Sequence, residues 1–148
     1  MTIMAAAILV VAAIGIGVYV LYDGAEEAQG TKIYIQDIDG VYFWIEGEGS
    51  NGLTALTNAC ERYDIPLETS LSSYGHSIDS IFSIEMSSTG VGDDVTWLWW
   101  NQCSYIDGEW TSNEVSIDKV NTSDVDALAF IFSDGLVIPA VEPTGISA

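Results

Sequence analysis

From Met1 to Tyr22 no side chain carries a charge, and Asp23 ends the run. The apolar stretch Ile3–Tyr22 (IMAAAILVVAAIGIGVYVLY) would rise about 30 Å as a helix, the thickness of a bilayer's hydrocarbon core. A segment this uniformly apolar has to be kept from water, and that requirement governs how the rest of the chain is read. The expectation is a transmembrane-type anchor helix over residues 1–22, a linker over residues 23–30 and an extracellular β-rich domain over residues 31–148. Tyr19 and Tyr22 suit the aromatic belt at a membrane interface. Two other readings stand beside the anchor. Ala28-Gln29-Gly30 has the small-x-small form of a signal-peptide cleavage site, although no Lys or Arg precedes the apolar run. The alanines and glycines at Ala5, Ala6, Ala7, Ala12, Ala13, Gly15 and Gly17 would let such helices pack closely as the core of a pilus-like filament.

Charge narrows the partners. Three Lys and Arg side chains (Lys32, Arg62, Lys119) stand against 22 Asp and Glu, a net charge of −19. Nucleic acid and anionic lipid head groups are excluded as partners, because phosphate contact needs cations that this chain lacks. Most of the acidity reads as a solvated, self-repelling surface. Asp37 with Asp39, Asp93 with Asp94 and Asp124 with Asp126 are the pairs nearest to a cation site, and none has the spacing of a calcium loop. No metal site is expected.

Cys60 and Cys103 are too few for a zinc site. Outside the cell they would suit one disulfide tying helix to sheet; the other reading is two separately buried thiols. Asn121-Thr122-Ser123 is a glycosylation sequon that marks a surface loop in an exported protein.

Hydrophobic periodicity then lays out the domain. Thr31–Ile38 and Val41–Glu46 are rich in β-forming residues around Asp39-Gly40, the dipeptide favoured by a type I′ hairpin turn. In the first arm Ile33 and Ile35 share one face, and Tyr34, Gln36 and Ile38 the other. Leu53, Leu56, Cys60 and Tyr63 recur at helical spacing behind an N-cap at Asn51 or Ser50, and Pro66 stops the helix. Glu68–His76 reads as loop, Ser77–Met86 as an imperfect strand and Ser87–Asp94 as loop. Val95–Tyr105 is an aromatic strand, followed by a turn at Asp107-Gly108. Glu114–Val120 reads as a short strand or extended loop. Ala127–Ser133 is an apolar strand, and Leu136–Val141 either pairs with it or trails behind. Hairpin, helix and further strands make an α+β arrangement, a β-grasp-like sheet covered by one helix, with an all-β sandwich as the competing architecture.

Little in this pattern suggests catalysis. His76 is the only histidine and reads as an ordinary surface or turn residue. No nucleophile elbow, phosphate loop or dinucleotide fingerprint occurs, and no carboxylate pair stands out. No enzyme is expected. The positive feature is aromatic. Trp97 and Trp99 point to one side of their strand and Trp100 to the other. Either Trp97 and Trp99 fill the core beneath the helix, leaving Trp100 and Trp110 exposed, or the strand offers rings for stacking on a ligand. Trp99, Trp100, Trp110 and Tyr105 are the candidate ligand-binding residues.

Several short pieces also resemble the extracellular domain family similar to the C-terminal domain of transcobalamin and intrinsic factor. They are Leu53-Thr54-Ala55-Leu56 through Cys60, Ile65-Pro66-Leu67-Glu68-Thr69, Tyr74-Gly75 before Ile78–Ile81, Trp97-Leu98-Trp99-Trp100-Asn101, and Asp124–Leu128. Gln102 stands where that family usually has glycine, Cys103 is inserted beside it, and the helical domain of a cobalamin carrier is absent from this chain. The resemblance implies a β-grasp-like fold and, in the carriers, one face that contributes to corrinoid binding. The expected function is a non-catalytic extracellular domain at the cell membrane that binds a corrinoid, a glycan or a protein. The alternative is a self-assembling subunit of a pilus-like surface filament.

Overall fold

The computed structural model describes residues 30–143. The anchor expected over residues 1–22 and most of the linker lie outside them. Among the described residues no helix is long and apolar enough to cross a membrane. The expected fold class is corrected. Strands hold 47% and helix 15% of the described residues, with a single α-helix. The strands form two sheets where a β-grasp-like fold needs one.

Strand β1 (Thr31–Gln36) and strand β2 (Tyr42–Gly47) form the opening antiparallel hairpin, with Tyr34 opposite Trp44. Their connection falls where expected but is not a type I′ turn. Gly40 adopts φ 82°, whereas Asp39 does not take the positive φ that type I′ requires at both central positions. Asp37 explains the difference, since its side chain accepts the backbone N–H groups of Asp39 at 3.0 Å and Val41 at 2.9 Å. It closes a wider loop.

Helix α1 (Gly52–Arg62) starts at Asn51, whose Oδ1 accepts the Thr54 N–H at 2.9 Å. Ala55, Leu56, Ala59 and Cys60 form its buried stripe. The helix lies close on β2 because position 47 is glycine: a Cβ there would meet the Ala55 carbonyl at 1.9 Å. Beyond Pro66, the segment read as loop is instead strand β3 (Leu67–Ser72). It pairs with β4 (Gly75–Ile81), which in turn pairs with β5 (Ile84–Glu85) in a three-stranded sheet. The turn between β4 and β5 places Phe82 and Ser83 at φ 55° and 61°.

The main sheet is completed by β6 (Ser87–Thr89), β7 (Thr96–Ile106), β8 (Glu109–Ser112) and β9 (Ala127–Ser133). Its order is β2-β1-β9-β7-β6, and β8 also pairs with β7. The β7–β8 connection is the expected tight turn, with Asp107 at φ 53° and Gly108 at φ 85°. Strand β9 runs parallel to β1 and antiparallel to β7. Glu114–Val120 contains a 3-10 turn over Ile117–Lys119, and the described residues after β9 form no strand.

One face of the main sheet packs Ile33, Ile35, Phe43, Ile45, Leu128, Phe130 and Phe132 under α1, under Ile78 and Ile81 of the small sheet, and under Ile117. Trp100 joins this core, only 4% exposed, with its Nε1–H donating to the Ile84 carbonyl at 2.9 Å. Trp97 is 62% exposed. The expected assignment is thus reversed: Trp100 lies in the helix-side core and Trp97 lies outside it. The alternation was right, but β7 extends past the sheet at its start, where only β6 pairs with it.

Two substitutions test this layering by urea unfolding. Leu128→Ala, in the middle of the core, should cost about 2–5 kcal/mol. Asn51→Ala, which removes one cap bond, should cost about 1 kcal/mol. Equal losses would contradict the burial of β9.

Candidate functional site

The face of the main sheet opposite α1 carries a second, smaller cluster. Tyr34, Cys103, Ala129 and Ile131 are buried in it, and Tyr42, Trp44, Trp110 and Val141 pack around them. Strand register accounts for the assembly: Tyr34 lies opposite Trp44 on one side and beside Ala129 on the other, and Ala129 faces Cys103. Small residues on β9 leave room for large rings from its neighbours.

Tyr34, 1% exposed, is the hub. Its ring centroid lies 5.0 Å from Tyr42, 5.2 Å from Trp44 and 6.4 Å from Trp110. Trp110 lies 6.3 Å from Trp44 and 5.1 Å from Tyr105, which sits opposite it across the β7–β8 hairpin. Each such pair contributes about 0.5–1.5 kcal/mol beyond its area burial, so the five rings hold one another in a packed cluster. The chain after β9 crosses this surface. Val141 accepts the Trp110 indole N–H at 2.8 Å, and Val137 accepts the Cys103 thiol at 3.5 Å.

Between the β7–β8 turn and this crossing segment lies a cleft of about 410 Å³, lined among others by Tyr105, Trp110, Glu109, Pro139, Val141 and Glu142. A second hollow of about 260 Å³ lies along Trp99, Asn101, Asn113 and Leu136. There the Trp99 indole donates to Asn101 Oδ1 at 3.0 Å, and Asn101 donates to Ser133 Oγ at 2.6 Å.

Of the four candidate binding residues, Tyr105 and Trp110 meet in the larger cleft. Trp99 lines the other hollow, and the Trp100 ring belongs to the core on the far side of the sheet. The sequence reading missed Tyr34, Tyr42 and Trp44. Their signal was present in the hairpin, where these rings alternate with Ile33, Ile35, Phe43 and Ile45.

Burial and neighbouring charge set the ionisation of the site. The Tyr105 phenol is held above its usual range, first by desolvation and then by the carboxylates of Glu142, Asp126 and Glu109. Burial likewise raises Tyr34, with a further contribution from Tyr42. The expected disulfide is corrected. Cys60 and Cys103 are free and buried, Cys60 on the buried stripe of α1 and Cys103 on the opposite face of the sheet, so a sheet layer separates them. Burial pushes their thiols up to about 12 and about 11.

Other polar residues pair among themselves away from the cleft. His76 is half-buried on β4, not a plain surface residue: its Nδ1 is 3.5 Å from Asp118 Oδ2, and its N–H donates to Asp118 Oδ1 at 3.3 Å. Ser116 also donates to Asp118. The carboxylate is therefore the middle member of the trio, whereas nucleophilic catalysis needs the histidine there. Asp118 is held down at about 2, chiefly by the Ser116 hydroxyl and further by the His76 hydrogen bonds. Among the described residues no group of three or more His, Cys, Asp or Glu is placed to hold a metal ion. Asn121 is exposed, and its Oδ1 accepts the Ser123 N–H at 3.1 Å and hydroxyl at 2.9 Å.

No protein-family model, curated protein or solved structure matches the chain.

The thiols supply a direct test. At pH 8 an aromatic disulfide reagent should titrate neither cysteine in the folded chain and both after unfolding, and a reductant should leave the unfolding midpoint unchanged. The raised values also fix a pH dependence. The unfolded thiols ionise from about 9.0 while the folded ones stay protonated to about 11 or 12. The stability they contribute is complete below pH 9 and is lost as the pH climbs through that window. A reductant-sensitive midpoint would contradict the separation of the two cysteines.

Proposed function

We propose that residues 30–143 form a non-catalytic binding domain whose contact surface is the aromatic face opposite α1. The observation that carries this reading is the continuous cluster Tyr34, Tyr42, Trp44, Tyr105 and Trp110, which ends in an open cleft. Rings held rigid before a ligand arrives lose little entropy on binding, and a cleft of this size falls in the range of small-ligand sites, about 300–1,000 Å³. Flat or cyclic organic molecules, including the corrinoids and glycans expected from the sequence, are the first ligand classes for such a surface. A protein partner would meet the half-buried rings of the cluster, Tyr42, Trp44 and Trp110.

The domain is proposed to face the cell exterior at the membrane. The uncharged apolar stretch Ile3–Tyr22 and the exposed sequon at Asn121 support that placement. The free thiols withdraw the argument from a disulfide, since an oxidising compartment is no longer needed to explain two cysteines.

Tryptophan emission of the full chain in non-ionic detergent, titrated with cyanocobalamin, neutral oligosaccharides and small organic cations, tests the reading. At least one class should give a saturable change that Trp110→Ala removes and Trp97→Ala leaves intact, with both variants folded by circular dichroism. A response lost only in Trp97→Ala would move the contact surface to the β6–β7 arm. No response to any class would overturn small-ligand binding.

A further inference from the structure

The cleft beside Trp110 joins two features of different chemistry. Its wall is aromatic and aliphatic, from Tyr105, Trp110, Pro139 and Val141, and its rim carries the carboxylates of Glu109 and Glu142. A third carboxylate, Asp126, also acts on the Tyr105 phenol, and the Asp126 N–H donates to the Tyr105 carbonyl at 2.8 Å. Two carboxylates therefore line the cleft beside the Tyr105 ring, and the charge of a third acts on the same phenol.

The chain's basic side chains lie outside the lining of the cleft. Arg62 ends α1 and reaches the Glu46 carbonyl at 3.4 Å, and Lys119 closes the 3-10 turn after Ile117. Lys32 is next to Ala127, which is itself next to Tyr105, so register places it two strands away on the same face of the sheet. None of the three lines the cleft.

We infer that this cleft binds a small organic cation of the tetraalkylammonium type, its methyl groups against Tyr105 and Trp110 and its charge balanced by Glu109 and Glu142. The inference deepens the binding function proposed above and rests on it. An aromatic ring attracts a poorly hydrated cation through its quadrupole, and nearby carboxylates add a longer-range attraction without having to strip a tight hydration shell. A hard metal ion would need six or more oxygen ligands, which this wall does not offer. An anion would be repelled by all three carboxylates. A neutral sugar could stack on Trp110 and donate its hydroxyls to Glu109 and Glu142, but it carries no charge for those carboxylates to balance.

The test compares choline with 3,3-dimethylbutan-1-ol, its uncharged carbon analogue, by tryptophan emission of the full chain in non-ionic detergent at fixed ionic strength. Choline should bind saturably and about tenfold more tightly than the alcohol, the factor expected for a partly desolvated cation on aromatic rings. Glu142→Gln and Glu109→Gln, both at exposed positions, should each weaken choline severalfold and leave the alcohol and the unfolding midpoint unchanged. Equal affinity for the two probes would overturn the cation inference and leave an apolar binding cleft standing. A response to glycan or corrinoid without one to choline would likewise overturn the inference alone. Silence toward every probe would overturn both.

Discussion

The structure depends on strand β9 being buried on both faces. All seven residues from Ala127 to Ser133 are buried, and each neighbour of β9 is placed by it: β1 by a parallel ladder and β7 by an antiparallel one. A strand of this kind obliges the chain to cover both sides of its sheet. Leu128, Phe130 and Phe132 call for a thick covering layer, supplied by α1, the small sheet and Ile117. Ala127, Ala129 and Ile131 present a lower surface, and the space above the alanines is taken by rings from adjacent strands. Large side chains on one face and small ones on the other make the sheet chemically two-sided.

That asymmetry supports the proposed function. The helix side is sealed by α1, the small sheet and a mixed aliphatic and aromatic core, and its one indole N–H is used internally, by Trp100 toward β5. The opposite side is sealed by aromatic rings and a single irregular segment, whose anchorage includes the Trp110 and Cys103 bonds to backbone carbonyls. A layer held by few hydrogen bonds and no regular ladder is where a cleft can remain open beside large rings. The carboxylates on that segment and on the β7–β8 turn give the cleft its sign of charge.

Some of this was legible in the sequence, and the divisions have physical reasons. Helix α1 was marked by Asn51, by its apolar spacing and by Pro66, and β9 by a continuous apolar run between turn residues. Asp107-Gly108 gave the β7–β8 turn its type because both residues tolerate positive φ. Of the small sheet, β4 and β5 lie largely in the segment read as an imperfect strand, whereas β3 was hidden because it is exposed along nearly its whole length, so Glu68–Ser72 shows no apolar alternation to read. At Asp37 a side-chain acceptor outcompeted the turn that the Asp39-Gly40 dipeptide favours. For the site, Tyr105 and Trp110 were found as residues, but which face of β7 meets the helix depends on strand order, and that is long-range information. The paired rings of the opening hairpin were visible only as the reverse face of a core pattern.

The accessibility of the five tryptophan indoles tests this two-sided sheet most directly. A neutral paramagnetic relaxation agent added to the ¹⁵N-labelled full chain in detergent should broaden the indole N–H signal of Trp97 first, those of Trp44, Trp99 and Trp110 to an intermediate degree, and that of Trp100 hardly at all. A Trp100 signal lost early while Trp44 and Trp110 stay sharp would contradict the account, because the open aromatic face would then lie on the helix side of the sheet.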